Sequence, residues 1–306
     1  GVILVAALFC TLMSGGYLAS SGNNRAEFHS LICFSAGAMV LLCQATNLIS
    51  IFVAIETLSL AVYVLAGYFK DNRSASEGAF KYFVIGAFSS GFLLLGMAFI
   101  YGTSGGSISL ADIAASNAHA DPLFAVGTLL MIIGFAFKVG AVPFHSWVPD
   151  VYQAAPALSV GWMAVAVKSA SFFAFCRFLL FAEGGQALTQ ILSAIAVITM
   201  LLGNLAALNQ TSLKRMMAYS GIAHSGYLLI PLVLAVSGAG ASAGASIPFY
   251  LFGYAATTLA AFGVIAAISV VTDRDDVNDL DGLARTRPLL AIGFTIALIS
   301  LAGIPL

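Results

Sequence analysis

Charged residues are scarce in this chain of 306 residues. Only 8% of its residues are Asp, Glu, Lys or Arg, whereas 60% are hydrophobic, and the mean hydropathy is +1.01. Soluble globular domains carry roughly 25% charged residues, so this composition excludes one. Apolar stretches recur about ten times near the roughly 20 residues that cross a bilayer, and the polar breaks between them are short. The sequence therefore predicts a polytopic membrane protein.

Motifs for metals, nucleotides and redox chemistry are also missing. None of the four cysteines belongs to a CxxC pair, and most lie in apolar runs, which favours core packing. The glycine cluster at 238–240 lacks the strand and helix context that phosphate binding requires. We therefore expect no cofactor or metal on this chain and no nucleic-acid partner. There is no signal peptide and no initiator Met, which predicts a fragment of a longer protein.

The long apolar runs indicate an all-α protein. Runs such as 191–208 and 289–306 are apolar on all sides, which is typical of helices and not of alternating strands. We predict a single membrane domain over residues 1–306. Its crossings are expected at 1–20, 29–46, 48–68, 78–101, 121–142, 157–180, 187–208, 212–236, 246–271 and 288–306.

The distribution of Lys and Arg predicts the orientation of these helices. Positive charge marks cytoplasmic loops, and with the crossings above nearly all loop charges fall on one side. The opposite side holds only Arg177, so we expect Gly1 on the exterior face. The predicted cytoplasmic residues are Arg25, Lys70, Arg73, Lys214, Arg215, Arg274, Arg285 and Arg287.

The fifth crossing is predicted to be broken. Gly140 and Pro143 follow Lys138 closely, and Pro149 and Pro156 come soon after. Proline removes a backbone donor and disfavours helical geometry before it, and membranes tolerate the freed polar groups only where protein or water satisfies them. We therefore expect a broken helix near Lys138 to Pro143, with the lysine facing the interior.

Four charged residues lie inside apolar runs: Glu56, Lys81, Lys138 and Lys168. A lysine near the bilayer midplane costs about 2.5 to 3.5 kcal/mol on insertion scales, so such groups mark ion or proton paths. These four are the predicted proton-transfer residues. Lys81 lies only a few residues inside its helix and could instead reach the cytoplasmic surface.

Glu56 needs a partner, because an unpaired carboxylate is costly to bury. Lys138 is the predicted partner, since opposite charges about 6 Å apart attract by roughly 3 kcal/mol at an effective dielectric of 20. His145, seven residues after Lys138, is a candidate relay toward Lys168, and His224 is a candidate relay further along. Imidazole suits this task because it titrates near physiological pH.

Three segments carry a resemblance to a known family. They are 47–60, which contains Glu56; Phe137-Lys138-Val139-Gly140 with the run from Pro143 to Gln153; and the run from Leu213 to Tyr227. In these segments the chain resembles the antiporter-like, proton-translocating membrane subunits of respiratory complex I, the bacterial NADH:quinone oxidoreductase. Val151-Tyr152-Gln153 favours the N branch of this family over its L and M branches.

The resemblance implies two inverted five-helix repeats, here approximately 29–181 and, incompletely, 187–306. Short sequence matches such as 140–143 with 302–305 agree with a repeat. The resemblance also implies that Glu56 and Lys138 pair in the first half-channel, that Lys168 is the central lysine that passes protons laterally, and that Lys81 is a modulating lysine on the intervening helix. It also implies that the chain starts at the family's third helix and stops within its twelfth, before an exit-side lysine that follows Pro305.

The same resemblance implies a subunit of a proton-translocating enzyme in the bacterial inner membrane, without a redox centre of its own. NADH, FMN, iron–sulfur clusters and quinone would be bound by partner subunits, which include other antiporter-like and small membrane subunits. Two alternatives stay open: a subunit of a multi-protein Na⁺/H⁺ antiporter on the same scaffold, and a structural scaffold whose charges only lock helices together.

Overall fold

The described parts of the chain form helices joined by short turns. The computed structural model describes residues 1–23, 25–181, 185–238, 241–272 and 276–304. Among them there are helices and no strands beyond isolated bridges, which confirms the all-α prediction. The helices are α1 Val2–Ser20, α2 Ala26–Gln44, α3 Leu48–Ala66, α4 Arg73–Thr103, α5 Leu110–Ala115, α6 Pro122–Val139, α7 Trp147–Ala154, α8 Ala157–Trp162, α9 Lys168–Phe181, α10 Gln186–Ala207, α11 Leu213–Val236, α12 Ala241–Thr272, α13 Leu283–Thr286 and α14 Pro288–Leu301.

Nine helical segments in the described ranges are long and apolar enough to cross a membrane. They match the first nine predicted crossings, with ends that differ by several residues. The fourth, for example, begins at Arg73 and not at 78, because the Asn72 side chain caps it by accepting from the N–H groups of Ser74 and Ala75. The tenth predicted crossing contains α14, which is apolar but only 14 residues long. The chain is a multi-pass membrane protein.

The predicted break after Lys138 is confirmed. Helix α6 ends at Val139, and Gly140 adopts a left-handed conformation with φ of 70°, which favours glycine. The backbone then turns and re-enters a helix at Trp147. The indole of Trp147 donates a hydrogen bond to the carbonyl oxygen of Phe137 at 3.1 Å. The same carbonyl oxygen also accepts from the N–H of Gly140 at 3.1 Å, so the indole adds a second bond at the helix end.

Neighbouring helices satisfy two more backbone groups of the break. The hydroxyl of Thr199 in α10 accepts from the N–H of Val142 at 3.0 Å. The hydroxyl of Ser225 in α11 donates to the carbonyl oxygen of Val139 at 2.6 Å. Non-helical backbone at membrane depth is stable only with such internal partners. The break is therefore built into the packing of α10 and α11 and is not a loose loop.

A second irregularity lies directly before Lys168. Helices α8 and α9 form one membrane-spanning segment, Ala157–Phe181, but residues Met163–Val167 make a π-helical turn between them. Such turns are rare and occur frequently at functional sites, because they rotate the following side chains out of the regular helical series. The turn sets the direction in which Lys168 leaves its helix.

Close helix packing fixes the position of the break and of its lysine. A Cβ on Gly96 of α4 would lie 2.7 Å from the carbonyl oxygen of Gly127 in α6, and a Cβ on Gly134 would lie 2.2 Å from Leu93. These glycines allow α4 and α6 to approach each other closely, as small residues do in membrane helix pairs. Lys138 is therefore carried on a helix that can hardly shift against α4.

Candidate proton-transfer site

Lys138 lies in the last turn of α6, and its side chain is only 4% exposed. Its ammonium group donates a hydrogen bond to the hydroxyl of Ser59 in α3 at 2.7 Å. The Nζ atom also lies 5.8 Å from the ring centroid of Tyr63 and 5.6 Å from that of Phe137. One hydroxyl and two aromatic faces thus replace the water that this charge loses on burial.

Glu56 lies three residues before Ser59 on α3, so the two side chains share a face of the helix. Its carboxylate accepts a hydrogen bond from the hydroxyl of Ser90 in α4. No ion pair within 4 Å joins Glu56 to Lys138 in the part of the chain that the structure describes. The two groups make no direct contact, and their pairing at about 6 Å stays a prediction. Each charge has its own serine partner, and Ser59 lies one helical turn from the carboxylate.

Ser59 is expected to be essential for the position of the Lys138 ammonium group. Hydrogen bonds to charged groups contribute about 1.5 to 3 kcal/mol, so Ser59→Ala should lower proton transport at least about tenfold. Proton uptake by vesicles that contain the native complex would measure this. Thr57→Ala is the matched control, because that hydroxyl bonds only to the backbone of its own helix, at Val53. Equal transport in the two variants would contradict a role for Ser59.

Lys168 follows the π-helical turn and is 6% exposed. Its ammonium group donates to the carbonyl oxygen of Gly221 in α11. It also makes a longer contact, 3.5 Å, with the hydroxyl of Tyr254 in α12, and the ring centroid of Tyr254 lies 5.2 Å from Nζ. No carboxylate pairs with this lysine among the described residues. A buried ammonium group held only by neutral groups can give up its proton more readily than one in an ion pair.

A small internal cavity lies between the two buried lysines. Its volume is about 10 Å³, close to the space that one water molecule occupies. Lys138 and Lys168 both line it, together with the aromatic side chains of Tyr82, Trp147 and Tyr152. The structure thus brings two of the predicted proton-transfer residues to the same cavity. The two lysines therefore share a cavity with room for about one water molecule.

The two histidines proposed as relays are placed differently. His145 is half-buried, does not line the cavity, and makes no hydrogen bond with either lysine in the described ranges. The structure thus does not bring it between Lys138 and Lys168. His224 is buried in α11, and its Nδ1 lies 2.6 Å from the hydroxyl of Tyr250. Its ring centroid is 4.9 Å from that of Tyr254, which places it beside the Lys168 site.

Lys81 lies away from the buried lysines. Its side chain is 49% exposed and forms an ion pair with Glu77, one turn earlier on α4, at 2.8 Å. Both line an open pocket that also contains Asp150. Asp150 in turn accepts from Arg215 at 2.8 Å. Lys81 thus lies at the protein surface, near Arg215 of the Arg-rich and Lys-rich set. This agrees with the alternative given for Lys81 above, that its side chain reaches the surface.

Several hydroxyl groups of the site were not singled out from the sequence. Ser59 and Tyr63 lie three and seven residues after Glu56, the spacing of one helix face. Tyr250 and Tyr254 on α12 are four residues apart, as Ser59 and Tyr63 are on α3. Polar residues at helical spacing from a charge in an apolar run are a signal that could have found them.

In the described residues no group of three or more His, Cys, Asp or Glu side chains could hold a metal ion.

Comparison with known proteins places this arrangement in a family. Residues 45–306 match the family model described as NADH:quinone oxidoreductase/Mrp antiporter, TM. The chain is 42% identical to a protein of Acidobacterium capsulatum named NADH-quinone oxidoreductase subunit N 2, over 99% of this chain and 64% of that relative. A Bdellovibrio bacteriovorus protein named NADH-quinone oxidoreductase subunit N is 41% identical over 94% of this chain and 60% of its own length. The chain thus spans about three-fifths of the length of these curated relatives.

A solved structure agrees with these sequence matches. The structure of respiratory complex I from Thermus thermophilus with bound aureothin contains a chain that is 36% identical, with a TM-score of 0.77. The match covers 100% of this chain and 66% of that one. This match agrees with the antiporter-like membrane-subunit fold that the sequence predicted. The chain belongs to the family of NADH:quinone oxidoreductase/Mrp antiporter transmembrane subunits.

Proposed function

We propose that this chain is the proton-translocating part of an N-type membrane subunit of bacterial NADH:quinone oxidoreductase. The observation that carries the proposal is the narrow cavity shared by Lys138 and Lys168. Lys138 bonds to Ser59, which shares a helix face with Glu56, and Lys168 contacts Tyr254, which packs against His224. Acids, lysines and hydroxyls in a row, each within one or two contacts of the next, are what proton transfer through a membrane interior requires.

The proposed proton step takes place between the two lysines. The ammonium group of Lys138 gives a proton to a water in the cavity, and the neutral amine of Lys168 takes a proton from that same water. Two ammonium groups facing one cavity repel each other, so charging one favours the neutral form of the other. Attraction by Glu56, in contrast, stabilises the charged form of Lys138. At a separation of about 6 Å and an effective dielectric of 20 it amounts to roughly 3 kcal/mol. A change in the position of Glu56 would therefore drive the transfer.

The Ser59 contact suggests how Glu56 could control the lysine. In this structure Lys138 donates a hydrogen bond to Ser59, and Glu56 accepts one from Ser90. A change of side-chain rotamer at Glu56 or Lys138 is the proposed way to exchange these partners for a direct ion pair. Breaking and making that pair is the proposed link between distant quinone reduction and proton movement. Lys81, beside Glu77 and near Asp150, is proposed as a modulating residue at the surface and not as a member of the buried row.

The whole protein is proposed to act with partners. NADH, FMN, iron–sulfur clusters and quinone would be bound by other subunits of the complex. Other antiporter-like subunits and small membrane subunits would cover part of the apolar surface, and lipid the rest. The two repeats, approximately 29–181 and 187–306, stay a prediction, and so does the exit-side lysine beyond Pro305.

The proposed location is the bacterial inner membrane, with the Arg-rich and Lys-rich loops on the cytoplasmic side. Positive charge on one side of a multi-pass protein is the physical basis for this orientation. Lys214 and Arg215 at the start of α11 belong to that set, as does Arg73 at the start of α4. Arg274 of the predicted set lies outside the described residues.

A sodium/proton antiporter subunit is the second candidate. The Mrp complex of Dietzia sp. contains a chain with the same fold, at a TM-score of 0.87 and 24% identity over 99% of this chain. That likeness concerns the fold alone. Sodium needs several oxygen ligands, whereas the described central cavity is lined by two lysines and has room for about one water. This lining favours protons.

Purification of the native complex tests the proposal. The full-length protein, tagged and extracted from its own membranes in mild detergent, is expected to bring down flavin and iron–sulfur subunits in stoichiometric amounts. The same fraction should oxidise NADH with quinone as acceptor. Recovery with small antiporter-type partners alone, without that activity, would support the antiporter and reject the proposal.

A further inference from the structure

Tyr254 occupies a junction between two groups of the site. Its hydroxyl lies 3.5 Å from the ammonium group of Lys168, and its ring centroid lies 5.2 Å from the same atom. On its other side the ring is 4.9 Å from the ring of His224. The side chain is buried, so water does not compete for these contacts. Tyr254 thus touches the lysine through both a hydrogen-bond acceptor and a π face.

Gly221 makes room for this contact. A Cβ at Gly221 would lie 3.3 Å from the Nζ of Lys168 and 3.3 Å from the hydroxyl of Tyr254. The carbonyl oxygen of the same residue accepts a hydrogen bond from the lysine. The ammonium group of Lys168 and the phenol of Tyr254 therefore both lie next to Gly221, where α11 carries no side chain. Any other residue would place its first carbon between the two helices at this point.

We propose that Tyr254 is a positioning residue for Lys168. Its hydroxyl oxygen and ring face hold the ammonium group at the end of the central cavity and direct it toward the pair formed by His224 and Tyr250. This role rests on the proposed function of Lys168 in proton transfer. Through this contact, Tyr254 of α12 influences whether Lys168 keeps its proton. The charged residues alone do not provide this influence.

The physical basis is the stabilisation of the charged form. A hydrogen bond to an ammonium group and a cation–π contact both favour the protonated lysine over the neutral amine. The other titratable groups near Lys168 come from four helices and do not include a described carboxylate. They are Tyr82 of α4, Lys138 of α6, Tyr152 of α7 and His224 of α11. Among the described titratable side chains, Tyr254 of α12 makes the direct contact with the ammonium group.

The expected consequence is a shift in the pH profile of proton transport. Removal of an acceptor weakens the charged form, so Lys168 would lose its proton at lower pH. Tyr254→Phe keeps the ring and its packing but removes the hydroxyl. We expect it to move the alkaline limb of the profile to lower pH by about one unit. Gly221→Ala should move it in the same direction, because its methyl group separates the lysine from the phenol.

The experiment uses the whole complex in proteoliposomes, with proton uptake and NADH oxidation recorded from acid to alkaline pH. Tyr101→Phe is the matched control, since Tyr101 is exposed in α4 and lies near neither lysine. Lys168→Ala is measured in parallel and is expected to lose transport. A Tyr254→Phe profile that overlays the wild type, beside an inactive Lys168→Ala, would overturn the role of Tyr254 and leave the proposed function intact. Normal transport by Lys168→Ala would overturn both.

Discussion

Lys138→Ala is expected to stop proton transport through this subunit while the complex still assembles. A positioned acid or base group contributes typically a hundredfold or more to proton transfer, so the rate should fall roughly a hundredfold. Assembly should survive for an energetic reason. Removing the buried charge returns about 2.5 to 3.5 kcal/mol of insertion cost, which offsets much of the packing that the side chain provided. The ratio of protons moved to NADH oxidised, in reconstituted vesicles, measures the effect.

Two further variants separate charge from packing. Lys138→Met keeps the length of the side chain and its contact with the ring of Tyr63, but removes the ammonium group. It should transport no better than the alanine variant. Lys70→Ala removes an exposed lysine in the turn between α3 and α4 and should behave like the wild type. An unchanged proton-to-electron ratio in an assembled Lys138→Ala complex would contradict the mechanism.

Gly203→Val is expected to be the most destabilising single change in the described core. A Cβ at Gly203 in α10 would lie 2.5 Å from the backbone nitrogen of Ala223 in α11 and 2.9 Å from its Cα. Backbone atoms cannot move aside as a flexible side chain can, so the two helices would have to separate. Overpacking of this kind costs typically about 1 to 3 kcal/mol, and valine should reach the upper end. Thermal unfolding of the purified full-length protein in detergent measures the loss.

The damage should extend to the site, because Ala223 directly precedes His224. Separation of α10 from α11 would also disturb the two bonds that these helices make to the helix break, through Thr199 and Ser225. Gly37→Val is the matched control, since a Cβ at Gly37 of α2 meets no atom within 4 Å. Similar unfolding temperatures for Gly203→Val and Gly37→Val would show that the α10 and α11 contact is not as close as described.

The helix break illustrates what could be predicted from the sequence. Gly140 and Pro143 in an apolar run cannot continue a straight helix, so their positions alone locate the break within a few residues. The burial of Lys138 and Lys168 follows from the same kind of reasoning, because each lies inside an apolar run. These are local properties of the chain, and the structure agrees with them.

The partners of these charges could not be predicted in this way. Which helix faces Lys138 depends on tertiary packing, and two serines, not one carboxylate, turn out to bind the opposing groups. The position of His145 after the break depends on backbone torsion at Gly140. Lys81 lies in the third turn of α4, and whether that face of the helix meets a neighbour or the surface depends on tertiary packing.

The most direct test of the account is the ion moved by the complex that contains this protein. Proteoliposomes with the purified complex would be given NADH and quinone in a medium free of sodium, with a pH-sensitive dye inside. The account predicts rapid acidification of the vesicle interior when the NADH-oxidising side faces outward, at a rate that added sodium does not change. Absence of acidification without sodium, with sodium uptake or release once sodium is added, would contradict it.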